Sequence, residues 1–238
     1  MFQYGTVEAR IKIPDLADGL WPAFWTLGND ISSVGWPRCG EIDILEMGFS
    51  GALANGEANR RVYSTAHWDI DGNYASYGES RAVGVELDED YHIWRMEWTP
   101  ISIATYIDGE RVWIIDISDP DSFGGHEFHA PHFLIVNLAV GGNFPGIYDR
   151  NAITAPLPAE YLVDWIRLYD NGHTILTGPG SVRPCPGDIT GDDKVDGADL
   201  ARILAAWSTD FAPADLSGNG RVDAADIGLL LGVWGKCP

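Results

Sequence analysis

Residues 91–116, YHIWRMEWTPISIATYIDGERVWIID, decide the fold class of this chain. They hold three runs in which apolar and polar residues alternate, rich in the Ile, Trp, Tyr and Thr that favour strands. Asp108-Gly109 separates the last two runs, and an Asp-Gly pair between alternating runs is a strong signal for a tight β-hairpin. The stretch therefore predicts antiparallel strands joined by short turns.

Similar runs extend on both sides, from Phe2 to about Asp170. They include TVEARIKI, RVYSTAHW, HFLIVNLAV and YLVDWIRLYD, and Gly, Pro and Asp separate them. No long helical pattern lies between them, which favours a mainly β sandwich or jelly roll.

The composition excludes two classes of partner. The 238 residues carry a formal net charge of −20, which would repel nucleic acid and anionic membrane surfaces. The apolar runs fall well short of the roughly 20 residues of a membrane-spanning helix. We expect no nucleic-acid partner and no membrane insertion.

Two domains are predicted. Residues 171–184, NGHTILTGPGSVRP, are rich in Gly, Pro, Ser and Thr and form a linker between residues 1–170 and residues 185–238. The second part is duplicated, because GDITGDDKVDGADLARILAAWS from Gly187 matches ADLSGNGRVDAADIGLLLGVWG from Ala214 with a shift of 27 residues. A duplicated unit this short predicts two small modules packed on each other.

Each repeat offers oxygen atoms at spacings that suit a calcium loop, since alternate residues of a tight loop can converge on one cation. The candidate ligands are Asp188, Thr190, Asp192, the Lys194 carbonyl, Asp196 and Asp199 in the first copy, and Asp215, Ser217, Asn219, the Arg221 carbonyl, Asp223 and Asp226 in the second. Solvated acidic turns are the alternative, which two matching copies disfavour. We expect calcium to stabilise this small core, with the Leu, Ile and Trp of the following amphipathic helices packed across the duplication.

The sharpest chemical signal is the segment GEIDILE, residues 40–46. On a regular strand Glu41 and Asp43 share a face and Glu46 points away, but a single bulge at Ile44-Leu45 would bring all three together. Retaining glycoside hydrolysis needs two carboxyl groups roughly 5–5.5 Å apart, and Asp43 would help to separate the pKa values of the two glutamates. The spacing by itself fits an ordinary solvated strand face equally well.

Aromatic residues on either side of the acids favour a sugar-binding cleft over that alternative. Trp21, Trp25 and Trp36 precede the acids, and His67 and Trp68 follow them on a similar strand. Flat indole faces suit sugar rings, although a single Trp more often belongs to a core.

Several blocks, in order, resemble glycoside hydrolase family sixteen and specifically its laminarinases: YGTVEARIKIP, GLWPAFWTLG, WPRCGEIDILEMG, STAHW, NLAVGGNFPG and YLVDWIRLYD. The resemblance covers about residues 2–170. It implies a concanavalin-like β-jelly roll and retaining endo-hydrolysis of β-1,3-glucan. By motif position, Glu41 resembles the nucleophile, Asp43 its helper and Glu46 the acid/base.

The same resemblance implies further site residues and leaves other functions open. Trp25, Trp36 and His67 resemble cleft residues, Asn137 lies in the NLAVGGNFPG block, and Asp164 matches a ligand of a structural calcium ion on the jelly roll. A mixed-linkage β-1,3-1,4-glucanase is one alternative; a glucan-binding protein that does not cut, or an inert subunit attached to a scaffold, is another.

Family members carry several dozen residues before the block that begins here at Phe2. We therefore expect the first strands, and a signal peptide for secretion, to precede this sequence.

The repeated tail resembles a type I dockerin, a module that binds cohesin modules of scaffold proteins. The usual recognition positions hold Gly197-Ala198 and Ala224-Ala225 instead of the common Ser-Thr pair, which makes a cohesin partner a weaker prediction than calcium. Cys185 and Cys237 bracket the tail, and this placement predicts a disulfide in an extracellular protein. Cys39 is expected to be a small buried hydrophobe.

Overall fold

The computed structural model describes residues 1–177, 187–190, 194–209, 211 and 214–236. The chain divides into two compact units, Met1–Ile175 and Leu176–Pro238. The predicted disulfide partners Cys185 and Cys237, and the predicted calcium ligand Asp192, lie outside the described residues.

The strands, in chain order, are β1 (Phe2–Gln3), β2 (Gly5–Lys12), β3 (Leu20–Gly28), β4 (Glu41–Glu46), β5 (Arg61–Ile70), β6 (Asn73–Ala82), β7 (His92–Trp98), β8 (Ser102–Ile107), β9 (Glu110–Asp116), β10 (His132–Val140), β11 (Leu162–Tyr169), β12 (Ile175–Leu176), β13 (Lys194–Val195) and β14 (Gly235–Lys236). The α-helices are α1 (Ile31–Val34), α2 (Ser50–Ala54), α3 (Pro120–Phe123), α4 (Gly197–Ala205) and α5 (Ala224–Gly232), and 3₁₀ turns span His126–His129 and Arg150–Ala152.

Two antiparallel sheets form the first unit. Their strand orders are β12-β1-β10-β3-β4-β5-β6 and β11-β2-β7-β8-β9. The hairpin predicted at Asp108-Gly109 joins β8 to β9, and both residues have the positive φ that such a two-residue turn requires. The expected mainly β sandwich is confirmed, and β12 of its seven-stranded sheet begins at Ile175, inside the segment that the sequence assigned to the linker.

The core lies between the sheets because strand residues alternate between the two faces. On β2, Val7, Ala9 and Ile11 are buried while the residues between them are partly exposed. Trp94, Trp98 and Trp113 are fully buried in the same core, so several tryptophans serve packing. Cys39 is also buried, as expected.

The second unit repeats its core with the period of its sequence. Val195 and Val222 are related by the 27-residue shift, as are Ile203 and Leu230, and all four are buried. The predicted helices are present as α4 and α5. The prediction that tryptophan packs across the duplication is wrong for the described core: Trp207 and Trp234 are about half exposed, and the core consists of smaller side chains.

No helix in the described part of the chain has the length and apolar character needed to cross a membrane.

Candidate active site

A bulge in β4 controls the direction of the acidic side chains. Trp25 on β3 pairs with Asp43 and Phe24 pairs with Leu45, so Ile44 is an extra residue in the strand. The register toward β5 shifts over the same interval. The buried hydroxyl of Ser64 donates a hydrogen bond of 2.9 Å to the Ile44 carbonyl. The bulge predicted from the spacing of the acids is confirmed.

The consequence is that Glu41, Asp43 and Glu46 line one cavity of about 190 Å³. Asp43 and Glu46 are buried and Glu41 is partly exposed. The alternative of a solvated strand face is therefore excluded, because a carboxylate facing water is not buried to this degree.

Glu41 lies between two rings. The indole N–H of Trp36 donates to its Oε2 at 3.0 Å, and Nε2 of His67 lies 3.8 Å from its Oε1. Burial raises the pKa of Glu41, while His67 and the Trp36 hydrogen bond act in the opposite direction.

Glu46 is the more deeply buried glutamate. Its Oε1 accepts a 2.9 Å hydrogen bond from the indole N–H of Trp21, whose ring stacks on Phe144 at a centroid distance of 5.3 Å. Burial, and next the negative charge of Asp43, raise the pKa of Glu46 to about 8, although the Trp21 hydrogen bond lowers it. A carboxyl group with this pKa holds its proton at neutral pH.

Asp43 is linked to the neighbouring strands. Its Oδ2 lies 2.9 Å from Nε2 of His67, and Nδ1 of the same ring lies 2.7 Å from the hydroxyl of Tyr74. Burial and then the charge of Glu41 raise the pKa of Asp43 well above its usual range, and burial lowers the pKa of His67. The raised pKa favours the protonated form of Asp43, and the lowered pKa favours the neutral form of His67.

Most of the aromatic residues singled out in the sequence lie at this cleft. Trp21 and Trp25 line the cavity with Asn137, and the Trp25 indole donates to the Asn137 Oδ1 at 2.7 Å. Trp36 is 50% exposed beside Glu41.

The prediction that Trp68 contacts substrate is wrong. Its side chain is 6% exposed in the core, its indole N–H donates to the Phe123 carbonyl, and its ring contacts Phe128. The reason is the period of the strand: residues of β5 alternate between the faces, so Trp68 points away from the cleft that His67 faces.

Three residues of the site were missed in the sequence, namely Ser64, Tyr74 and Phe144. A weak signal existed for Tyr74, because it follows the Asp71-Gly72 turn and pairs with Asp69, which shares a strand face with His67. Ser64 and Phe144 lie in the STAHW and NLAVGGNFPG blocks, but their roles depend on neighbours far along the chain.

Asp164, which the resemblance implies as a calcium ligand, pairs with an arginine in this structure, and the calcium site on the jelly roll stays a prediction. The guanidinium of Arg10 pairs with the Asp164 Oδ2 at 2.7 Å. A cation at this carboxylate would meet that positive charge at close range.

The second repeat has the donor set that a hard cation prefers. Asp215 accepts hydrogen bonds from Ser217 Oγ and from the backbone N–H of Asn219 and Gly220, and the Asn219 amide lies 3.3 Å from Asp223. The side chains of this loop thus place several oxygen atoms close to one another. Such a set of oxygen donors suits calcium.

Asp199 and Asp226, two of the predicted calcium ligands, cap the helices of the second unit. Each is the third residue of its helix, and its carboxylate accepts backbone N–H groups in a capping box with Asp196 or Asp223. Although burial opposes the change, these hydrogen bonds lower the pKa of both residues.

A two-sheet β-sandwich with two glutamates and an aspartate converging in one cleft has the features of a polysaccharide hydrolase. The chain belongs to the glycosyl hydrolases family 16, whose family model matches residues 1–167. A type I dockerin model matches residues 186–231. Both resemblances seen in the sequence are confirmed.

Individual relatives agree with this classification. The chain is 34% identical over 173 residues to glucan endo-1,3-beta-glucosidase A1 of Niallia circulans, a match over 70% of this chain and 24% of that protein. It is similar to the catalytic domain of an endo-1,3-beta-glucanase (laminarinase) from Thermotoga petrophila RKU-1, with TM-score 0.60 and 38% identity over 72% of this chain and 65% of that one.

A third relative is a Bacteroides ovatus GH16 protein, described as mixed linkage glucan PUL, in complex with a G4G4G3G product. It has a TM-score of 0.63 and 32% identity over 70% of this chain and 69% of that one. The chain spans less than two thirds of the length of the first curated relatives it matches.

Proposed function

We propose that this chain hydrolyses β-1,3-glucan at internal linkages with retention of anomeric configuration. Glu41 is the nucleophile and Glu46 the acid/base. The observation that carries the proposal is the convergence of the three acids through the β4 bulge, with the pKa of Glu46 raised to about 8.

The reaction follows from these protonation states. Glu46 donates its proton to the glycosidic oxygen as a Glu41 oxygen attacks the anomeric carbon, and the bond between that carbon and the leaving sugar breaks. In the second step Glu46 takes a proton from water, which attacks the same carbon and releases Glu41. The indoles of Trp36 and Trp21 hold the two carboxyl groups in place.

Asp43 keeps the two roles separate. Its raised pKa favours the protonated form, which donates to His67 at 2.9 Å, and when Asp43 does ionise, its charge raises the pKa of Glu46. An ionised Asp43 would raise the pKa of Glu41 and weaken the nucleophile.

A second candidate is hydrolysis of a mixed-linkage β-1,3-1,4-glucan, favoured by the similarity to the Bacteroides ovatus protein. The same assay separates the two: reducing-sugar release and loss of viscosity are measured on laminarin and on mixed-linkage glucan. We expect a preference for laminarin.

Two variants test the residue roles. Glu41→Gln is expected to lose activity on laminarin and on a dinitrophenyl β-laminaribioside, because both need the nucleophile. Glu46→Gln should lose laminarin hydrolysis but keep the first step with the dinitrophenyl substrate, whose leaving group needs no proton. The control is Glu89→Gln, an exposed acid on the same unit. Laminarin binding without release of reducing ends in the unaltered protein would instead indicate a glucan-binding protein.

For the second unit we propose calcium-dependent attachment to a cohesin-like module, and secretion of the whole protein. The dockerin match and the oxygen-lined second loop support the first part. Calorimetric titration with type I cohesins, with calcium and with a chelator, tests it. Because Gly197-Ala198 and Ala224-Ala225 replace the common pair, we expect binding to a subset of cohesins; binding to none in calcium would contradict the proposal.

A further inference from the structure

We propose that Tyr74 is a positioning residue of this active site, which holds His67 and Trp36 against the nucleophile. The proposal rests on the proposed function, because it assumes the role of Glu41. Tyr74 does not itself contact any of the three acids.

The contacts of Tyr74 reach both rings that flank Glu41. Its ring is stacked on the imidazole of His67, with centroids 5.8 Å apart and planes at 19°, and it lies 5.2 Å from the Trp36 ring. Its hydroxyl is 2.7 Å from Nδ1 of His67. Trp36 and His67 in turn lie at 3.0 Å and 3.8 Å from the two oxygens of Glu41. A single phenol thus supports both neighbours of the nucleophile.

A tight turn brings Tyr74 to this position. Asp71 and Gly72 both have positive φ and join β5 to β6, so that Tyr74 pairs with Asp69. Asp69 and His67 are two residues apart and share a strand face, which places Tyr74 diagonally opposite the imidazole.

The hydrogen bonds select one tautomer of His67. The raised pKa of the buried Asp43 favours its protonated form, which donates to Nε2 at 2.9 Å, and the neutral imidazole then carries its hydrogen on Nδ1. That hydrogen is donated to the Tyr74 oxygen.

Tyr74→Phe separates positioning from simple packing, because it keeps the ring and removes the acceptor. Without the acceptor the Nε2–H tautomer competes, and Asp43 then loses its own acceptor. We expect the laminarin kcat to fall by about ten-fold, the order of one lost hydrogen bond. KM should change little, and the melting temperature should stay close to that of the unaltered protein.

The spectroscopic readout is the His67 tautomer, measured by ¹⁵N NMR of histidine-labelled protein and assigned with His67→Gln. We expect Nδ1–H in the unaltered protein and a shift toward Nε2–H in Tyr74→Phe. Tyr77→Phe is the matched control: Tyr77 lies on the same strand, is 45% exposed, and donates to Glu79 instead.

An unchanged tautomer in Tyr74→Phe, or an equal loss of kcat in Tyr77→Phe, overturns the proposal. If the unaltered protein does not hydrolyse any glucan, the proposed function fails, yet the tautomer measurement still decides whether Tyr74 positions His67. The two failures are therefore distinguishable.

Discussion

Glu41 and Glu46 are the same residue type on one strand, and each accepts an indole N–H, yet their surroundings differ. Glu41 is partly exposed and faces His67, whereas Glu46 is buried, with only 9% of its surface exposed. Burial and the Asp43 charge raise the pKa of Glu46 to about 8, which suits an acid. The immediate neighbours and the burial of each glutamate therefore decide which one acts as the acid and which as the nucleophile.

Trp21→Phe tests the origin of that pKa. The Trp21 N–H stabilises the ionised form of Glu46, so its removal should raise the pKa of Glu46 and move the alkaline limb of the kcat/KM profile to higher pH. Trp25→Phe is the control, since the Trp25 N–H donates to Asn137. A limb that moves to lower pH would show that Trp21 acts on Glu46 in another way.

Glu46→Gln should stabilise the protein in a pH-dependent manner. A carboxyl group whose pKa is about 8 when folded and near 4.5 when unfolded stabilises the fold fully below the unfolded value and progressively less as pH rises toward 8. Glutamine stays neutral at every pH. The difference in free energy of unfolding between Glu46→Gln and the unaltered protein should therefore be absent at pH 4 and grow by up to about 1.4 kcal/mol per pH unit between pH 4.5 and pH 8. Urea unfolding at pH 4, 6 and 8 measures it, and Glu89→Gln should show no such slope.

At the scale of elements, the bulge in β4 turns the three acidic side chains of this strand into one cavity. Its extra residue Ile44 is buried, and the Ile44 carbonyl accepts a hydrogen bond from the hydroxyl of Ser64 on the adjacent strand. This hydrogen bond lets the strand change register without a buried unpaired acceptor.

Ser64→Ala is therefore expected to destabilise the first unit by about 1–3 kcal/mol, the range for a buried group left unsatisfied. Because the same carbonyl lies between Asp43 and Glu46 in sequence, laminarin kcat should fall as well. Ser80→Ala, on the exposed strand β6, removes a comparable hydroxyl that bonds to Arg61 and should change neither quantity. Full stability in Ser64→Ala would show that the bulge does not need this bond.

At the scale of the whole molecule, the two units differ in how much core they bury. The first has an extensive core between its sheets, whereas the described core of the second contains Val195, Ile203, Ala214, Val222 and Leu230. So few buried side chains give little stability in the absence of a bound cation.

Chelation should consequently act on the second unit alone. With EGTA we expect loss of the helical circular dichroism signal of α4 and α5, while laminarin hydrolysis continues. A variant carrying Asp215→Ala and Asp223→Ala should show a smaller response to calcium, because the second loop loses two of its oxygen donors. An unchanged dichroism spectrum in chelator would contradict a structural role for calcium.

Local sequence patterns were sufficient to predict much of the fold. Alternation predicted the strands, Asp108-Gly109 predicted the hairpin, and the duplication predicted two small matching modules, each with its own helix. Trp68 shows the limit: its neighbours in sequence mark a cleft, but which face of β5 points inward depends on pairing with distant strands.

The sequence by itself determined the sandwich, the duplicated tail and the identity of the three acids, because alternation, turn residues and motif spacing are local properties of the chain. Only the tertiary structure decided which aromatic residues face those acids, that Ser64 supports the bulge, that Tyr74 reaches His67 and that Arg10 pairs with Asp164. These contacts join residues on different strands or loops, and burial, which sets the proton on Glu46, exists only once the sheets have packed.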